Sequence, residues 1–93
     1  MGLVFEWDSN KAKTNVLKHN VSFEEATTVF GDNQSITINN PLRSINEKRF
    51  VTMGMSANKR LIVVVHTERG GRIRIISARP ASRKERNQYQ YET

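Results

Sequence analysis

The chain has 93 residues and a mass of 10.7 kDa, with 37% of them hydrophobic, which suffices for one small core but not for one built around a large buried cofactor. It has no cysteine, hence no disulfide framework or thiolate zinc site, and no apolar run near the roughly 18 residues of a membrane span. Fifteen Lys and Arg against nine Asp and Glu give a net charge of +6, which suits a polyanionic partner, nucleic acid first among them.

The opening residues MGLVFEWD are too short and too acidic for a signal peptide, and the lack of cysteine fits a reducing cytoplasm. Leu3–Trp7 reads as a short strand with Val4 on one face and Leu3, Phe5 and Trp7 on the other. Asp8 caps a helix running to about Lys18, with Ala12, Val16 and His19 at helical spacing and Lys11 and Lys18 on an exposed face. Asn20 suits a left-handed terminator. Ser22-Phe23-Glu24-Glu25 reads as a capping box opening a second helix, whose buried stripe is Phe23, Ala26 and Phe30 and whose end is Gly31-Asp32.

Strands follow. Gln34–Ile38 alternates, and a polar loop containing Pro41 runs from about Asn39 to Asn46. Arg49–Ser56 puts Val51, Met53 and Met55 opposite Phe50. Leu61–Val65, apolar on both faces, suits a central strand ending at His66. Glu68–Gly71 turns into a last strand, Arg72–Ala78, stopped by Pro80. Ser82-Arg83-Lys84-Glu85 is a second capping box, opening a short C-terminal helix. The order β-α-α-β-β-β-β-α predicts a single α+β domain over residues 1–93 with a mostly antiparallel sheet.

The charge is concentrated late in the chain. Residues 69–93 hold seven bases (Arg69, Arg72, Arg74, Arg79, Arg83, Lys84, Arg86) and two acids (Glu85, Glu92). Arginine forks match phosphate, so these residues are the candidate RNA contacts, with Trp7 as a base-stacking candidate. Bases at a helix start oppose its dipole, and an anion bound there by the free N–H groups and Arg79 would reverse the balance. By the two-residue period, Arg79 shares a face with Ile73 and Ile75 and extends past the core. His66, exposed at a strand end, offers a proton donor or acceptor near neutral pH, whereas His19 on the apolar side of its helix suits core packing. Glu24 is a weak candidate base. Two histidines cannot build a metal centre, and the basic segment offers only Glu68, Glu85 and Glu92 as carboxylates, so no metal or other cofactor is expected. RNA needs none, because its 2′-OH is an internal nucleophile.

Phe5-Glu6-Trp7-Asp8, Lys18-His19, Val21–Ala26 and Val29–Asp32 resemble the BrnT toxins of bacterial type II toxin–antitoxin systems. The likeness continues through Glu47, Arg49-Phe50, Gly54 and Val65–Arg69. It is strongest in Arg72–Arg79, with Ala81-Ser82, Arg83, Glu85, Arg86 and Tyr89 following. Asn20 and Ser9 stand where glycine and proline are common. The resemblance implies a RelE-like fold, metal-free RNA cleavage and blocked translation. It also implies neutralisation by a BrnA-type antitoxin, a ribbon-helix-helix protein that binds operator DNA in a hetero-oligomer with the toxin. On this reading Arg79, Arg83 and Arg86 hold phosphate while His66 or Lys18 moves protons. The alternative is a non-catalytic nucleic-acid-binding module using the same basic face.

Overall fold

The computed structural model describes residues 2–39 and 48–92. The loop expected over 39–46 around Pro41 and the resemblance at Glu47 lie, apart from Asn39, outside the described residues. In chain order the elements are β1 (Phe5–Glu6), α1 (Ser9–His19), α2 (Phe23–Thr28) with a 3-10 turn (Val29–Gly31), β2 (Ile36–Asn39), β3 (Arg49–Met55), β4 (Leu61–Arg69), β5 (Arg72–Pro80) and α3 (Arg83–Glu92). The strands form one sheet in the order β1-β5-β4-β3-β2, antiparallel except where β1 runs parallel to β5. The expected α+β order is present, with three helices.

Local signals set the helix ends. Asp8 accepts from the N–H groups of Asn10 and Lys11, and Asn20 ends α1 in the left-handed region at φ 56°. Ser22 caps α2 by accepting from the Glu25 N–H at 3.0 Å. The return half of that capping box is not made. Glu25 turns inward instead, where its carboxylate pairs with Arg60 and accepts from the Ser56 hydroxyl at 2.7 Å. The Arg60 partnership drives its pKa down, with Ser56 adding to the effect.

β4 is the middle strand and is covered on both faces. Ile62 and Val64 face α1 and α2, packing with Val21, Phe23, Ala26, Val29, Ile75 and Ala78. Leu61 and Val63 face α3, packing with Met53, Ala81 and Tyr89. β4 runs to Arg69, beyond its expected end at His66. β1 is shorter than expected, because Leu3 and Val4 are exposed and only Phe5 and Trp7 pack inward. The 3-10 turn sits directly on β3. A Cβ at Gly54 would stand 3.0 Å from Val29 Cγ1 and Ser35 Cβ, so any larger residue there needs its neighbours to give way.

α1 keeps Ala12 of its expected apolar stripe against the core and His19 half-buried, but turns Val16 outward. Val16 and Leu17 are exposed, and the buried residue is Asn15. Its amide donates to the carbonyls of Val21 and Ala78 at 2.9 and 2.8 Å and accepts from the Ala78 N–H at 3.1 Å. One side chain thus pairs with the outer edge of β5 as a neighbouring strand would. Replacing Asn15 by Leu leaves three buried backbone groups without partners. We expect a loss of roughly 2–4 kcal/mol in urea unfolding, and a loss below about 1 kcal/mol would show that Asn15 is not the staple of this edge.

Candidate functional site

The link from β5 to α3 carries the densest chemistry. The Ala81 N–H donates to the Leu61 carbonyl at 2.9 Å, which ties the link to β4. Ser82 and Glu85 form a complete capping box: the Glu85 N–H donates to Ser82 Oγ at 3.2 Å, and the Ser82 N–H donates to Glu85 Oε1 at 2.8 Å. The same carboxylate takes both terminal nitrogens of Arg79, each at 2.8 Å. This two-pronged pair holds Glu85 down to about pKa 2, with the Ser82 N–H helping, and raises that of Arg79. The helix start is therefore not waiting for an outside anion, as expected from sequence. Its own carboxylate is already there.

Around this neutralised pair stand cations without a counter-charge. Arg83, Lys84 and Arg86 are exposed and make no ion pair among the described residues. Arg79 itself remains 45% exposed at the side chain, open to a second anion. The expected grouping of Arg79 with Ile73 and Ile75 is corrected. Val65 pairs with Ser77 and His66 with Ile75, so Ile76 is an extra residue, and the bulge exchanges the faces beyond it. Ile75 and Ala78 face α1 and α2, while Arg79 pairs with Val63 and meets α3.

The other candidates are spread out. Arg74 and Arg72 lie at the far end of β5, roughly 17 and 23 Å from Arg79 at strand rise, and both reach Glu6, Arg74 at 3.1 Å and Arg72 at 3.7 Å. Arg69 pairs across from Arg72 beside the Gly70-Gly71 turn, where both glycines have positive φ. Trp7 is half-buried, edge-on to Phe23 with centroids 5.9 Å apart, so its ring serves the core and is not a free stacking surface. Lys18 lines an open groove of about 300 Å³ between α1 and the β5 bulge, together with Lys11, Thr14, His19, Ile76 and Ser77. His19 is thus a half-buried groove residue, not a core one.

His66 is not an exposed strand end. It is 4% exposed, stacked on Phe50 at 5.8 Å and edge-on to Phe30 at 4.9 Å, with Nε2 2.7 Å from Thr52 Oγ1. Burial lowers its pKa to about 4, so the ring is neutral at pH 7. Nδ1 has no partner among the described residues.

Sequence reading missed two anchors. Asp32 accepts from the Met55 N–H at 2.8 Å and from the Tyr89 hydroxyl at 2.6 Å, fastening α3 to β3. Burial opposes ionisation of Asp32, but these donors outweigh it and its pKa is lowered. Arg60 is the other. The partners of both lie far along the chain, so no local pattern points to either anchor; Asp32 and Tyr89 figure only as matching positions in the family resemblance, and Arg60 does not figure in it. Among the described residues, no three His, Asp or Glu side chains gather as a metal site, and no helix is long and apolar enough to cross a membrane.

A family model described as "Ribonuclease toxin, BrnT, of type II toxin-antitoxin system" matches residues 7–85. The crystal structure of the Brucella abortus ribonuclease toxin BrnT is similar in fold, with a TM-score of 0.69 at 21% identity over 88% of this chain and 100% of that one. A search of curated proteins returns no match. The chain belongs to the BrnT family of ribonuclease toxins of type II toxin–antitoxin systems.

The buried His66 sets a pH dependence of stability. The unfolded histidine takes up a proton near pH 6.5 and the folded one only near 4, so folding stability is intact above pH 6.5 and falls as pH drops from 6.5 to 4. The loss approaches about 3 kcal/mol, and His66→Phe should flatten the decline across this window. Parallel slopes for both proteins in urea titrations at pH 7, 6 and 5 would contradict the buried neutral state.

Proposed function

From membership of that family we propose that residues 1–93 form one RelE-like, metal-independent endoribonuclease domain that arrests translation. The 2′-OH of RNA attacks the adjacent phosphorus, the P–O5′ bond breaks, and the products carry a 2′,3′-cyclic phosphate and a 5′-OH. The observation that carries this reading is the uncompensated trio Arg83, Lys84 and Arg86 around the half-exposed Arg79. Guanidinium groups so placed stabilise a phosphorane's growing charge without a metal. Arg79 and Arg83 hold the phosphate, with Arg86 and Lys84 on the flanking chain, and Arg72 and Arg74 of β5 with Arg69 of β4 extend the contact.

Of the two proton-moving candidates, His66 is buried, and Lys18 stands in the open groove between α1 and the β5 bulge, across the sheet edge from Arg79. We assign proton transfer to Lys18, with the RNA passing over the β5 edge between that groove and Arg79, and leave His66 the task of tying β4 to Thr52 of β3. A type II toxin has an antitoxin; we take it to be a BrnA-type ribbon-helix-helix protein, joined to the toxin in a cytoplasmic hetero-oligomer and carrying it to operator DNA. An acidic antitoxin segment over Arg79, Arg83 or Arg86 would block RNA directly.

Purified, partner-free protein should cleave end-labelled RNA in EDTA and leave cyclic phosphate ends. Activity lost in EDTA and restored by magnesium would overturn the metal-free route. Binding without cleavage at any pH would favour the non-catalytic module.

The Arg79–Glu85 pair gives a sharper test. Arg79→Ala should cut cleavage roughly 30- to 1000-fold. Glu85→Gln keeps an acceptor for the Ser82 N–H but releases Arg79, so it should cleave at least as fast as the parent. Undiminished cleavage by folded Arg79→Ala would remove Arg79 from the site.

A further inference from the structure

A second cleft, of about 270 Å³, opens between the β3–β4 turn and α3. Its floor is Met55, Leu61, Pro80 and the ring of Tyr89, and its rim carries Lys59 and Arg86. The walls are fixed to each other, since the Tyr89 hydroxyl and the Met55 N–H share Asp32 Oδ2. That hydrogen bond pushes the Tyr89 pKa up to about 12, so the phenol that lines the cleft is neutral. Arg60 also borders the cleft but is committed to Glu25 and to the Asn20 carbonyl. Lys59 and Arg86 are exposed and make no ion pair among the described residues.

An aromatic and aliphatic floor under two uncommitted cations is the chemistry that takes a nucleobase and its phosphate together. The volume lies just below the range of drug-sized sites, about 300–1,000 Å³, and suits one nucleotide rather than a protein helix. Arg86 stands one turn after the Ser82 cap and one turn before Tyr89, so it belongs both to this cleft and to the cationic surface around Arg79. We propose that this cleft is a nucleotide subsite of the RNA track, seating the base against Tyr89 and the adjoining phosphate between Lys59 and Arg86. This rests on the RNA-cleavage reading and extends it: the seated nucleotide neighbours the one being cut and confers base preference.

The test uses partner-free protein and an uncleavable 2′-O-methyl oligonucleotide, with affinity read by fluorescence anisotropy and occupancy by amide shifts of Leu61 and Tyr89. Lys59 has φ 63°, a left-handed conformation that asparagine tolerates well, so Lys59→Asn removes the charge without disturbing the turn. It should weaken binding about 3- to 10-fold, against less than about 2-fold for Lys13→Asn on the exposed face of α1, and both amides should move on titration. Binding with equal effects from both variants and still amides would overturn the subsite while leaving the RNA reading intact. Failure of the parent protein to bind the oligonucleotide would overturn both. Amide shifts with an acidic peptide but none with RNA would hand the cleft to a protein partner and refute the proposal.

Discussion

One extra residue in β5 decides which side of the sheet each later side chain serves. With Ile76 bulged between the pairs His66–Ile75 and Val65–Ser77, Ala78 joins Ile75 in the core under α1 and α2. Arg79 is thereby turned to the opposite face, against α3. Without the bulge a two-residue period would bury Arg79's neighbours differently and point the guanidinium into the helical layer. The edge of β5 is open past the two residues that β1 covers, Asn15 closes it at Ala78, and the bulged Ile76 lines the groove in which Lys18 stands. A single insertion thus couples the core, the helix docking and the cationic surface.

Three polar anchors keep that arrangement in place, and each spans a long stretch of chain. Asn15 holds α1 to β5, Glu25 holds α2 to the β3–β4 turn through Arg60 and Ser56, and Asp32 holds α3 to β3 through Tyr89. All three side chains satisfy backbone or side-chain donors that would otherwise be left without partners on a small core. The basic surface is therefore carried on rigid elements, and the charge of Arg79 is matched by a carboxylate of the same chain. That carboxylate also screens the helix start, so that Arg83, Lys84 and Arg86 can crowd there without a bound anion.

Much of this was legible wherever the determinant is local. Asp8, Asn20 and the Ser82–Glu85 box act over two or three residues, and each ends or opens its helix as the residue pattern predicts. Alternation in β3 and the doubly apolar β4 placed the sheet correctly. What escaped depends on partners far along the chain. Glu25 looks like a cap until Arg60, 35 residues away, draws it inward. Asn15 carries no apolar signal, so the stripe through Val16 misplaces the buried face of α1. His66 looks like a strand end because Thr67, Glu68 and Arg69 are polar, yet β4 runs on and the aromatic rings of Phe30 and Phe50 enclose it. The bulge has no sequence mark at all, and with it went the face of Arg79.

The central claim is that the α3 side of β5 neutralises RNA phosphates. It is tested most directly by the salt dependence of binding to an uncleavable single-stranded RNA, comparing the parent with the Arg79→Ala, Arg83→Ala, Arg86→Ala triple variant. Each phosphate contact on a single strand contributes about 0.7 to the slope of log affinity against log salt. The account predicts a slope shallower by about 2 in the triple variant, with its thermal unfolding still cooperative. An unchanged slope in a folded triple variant would place the RNA elsewhere on the protein and contradict the account.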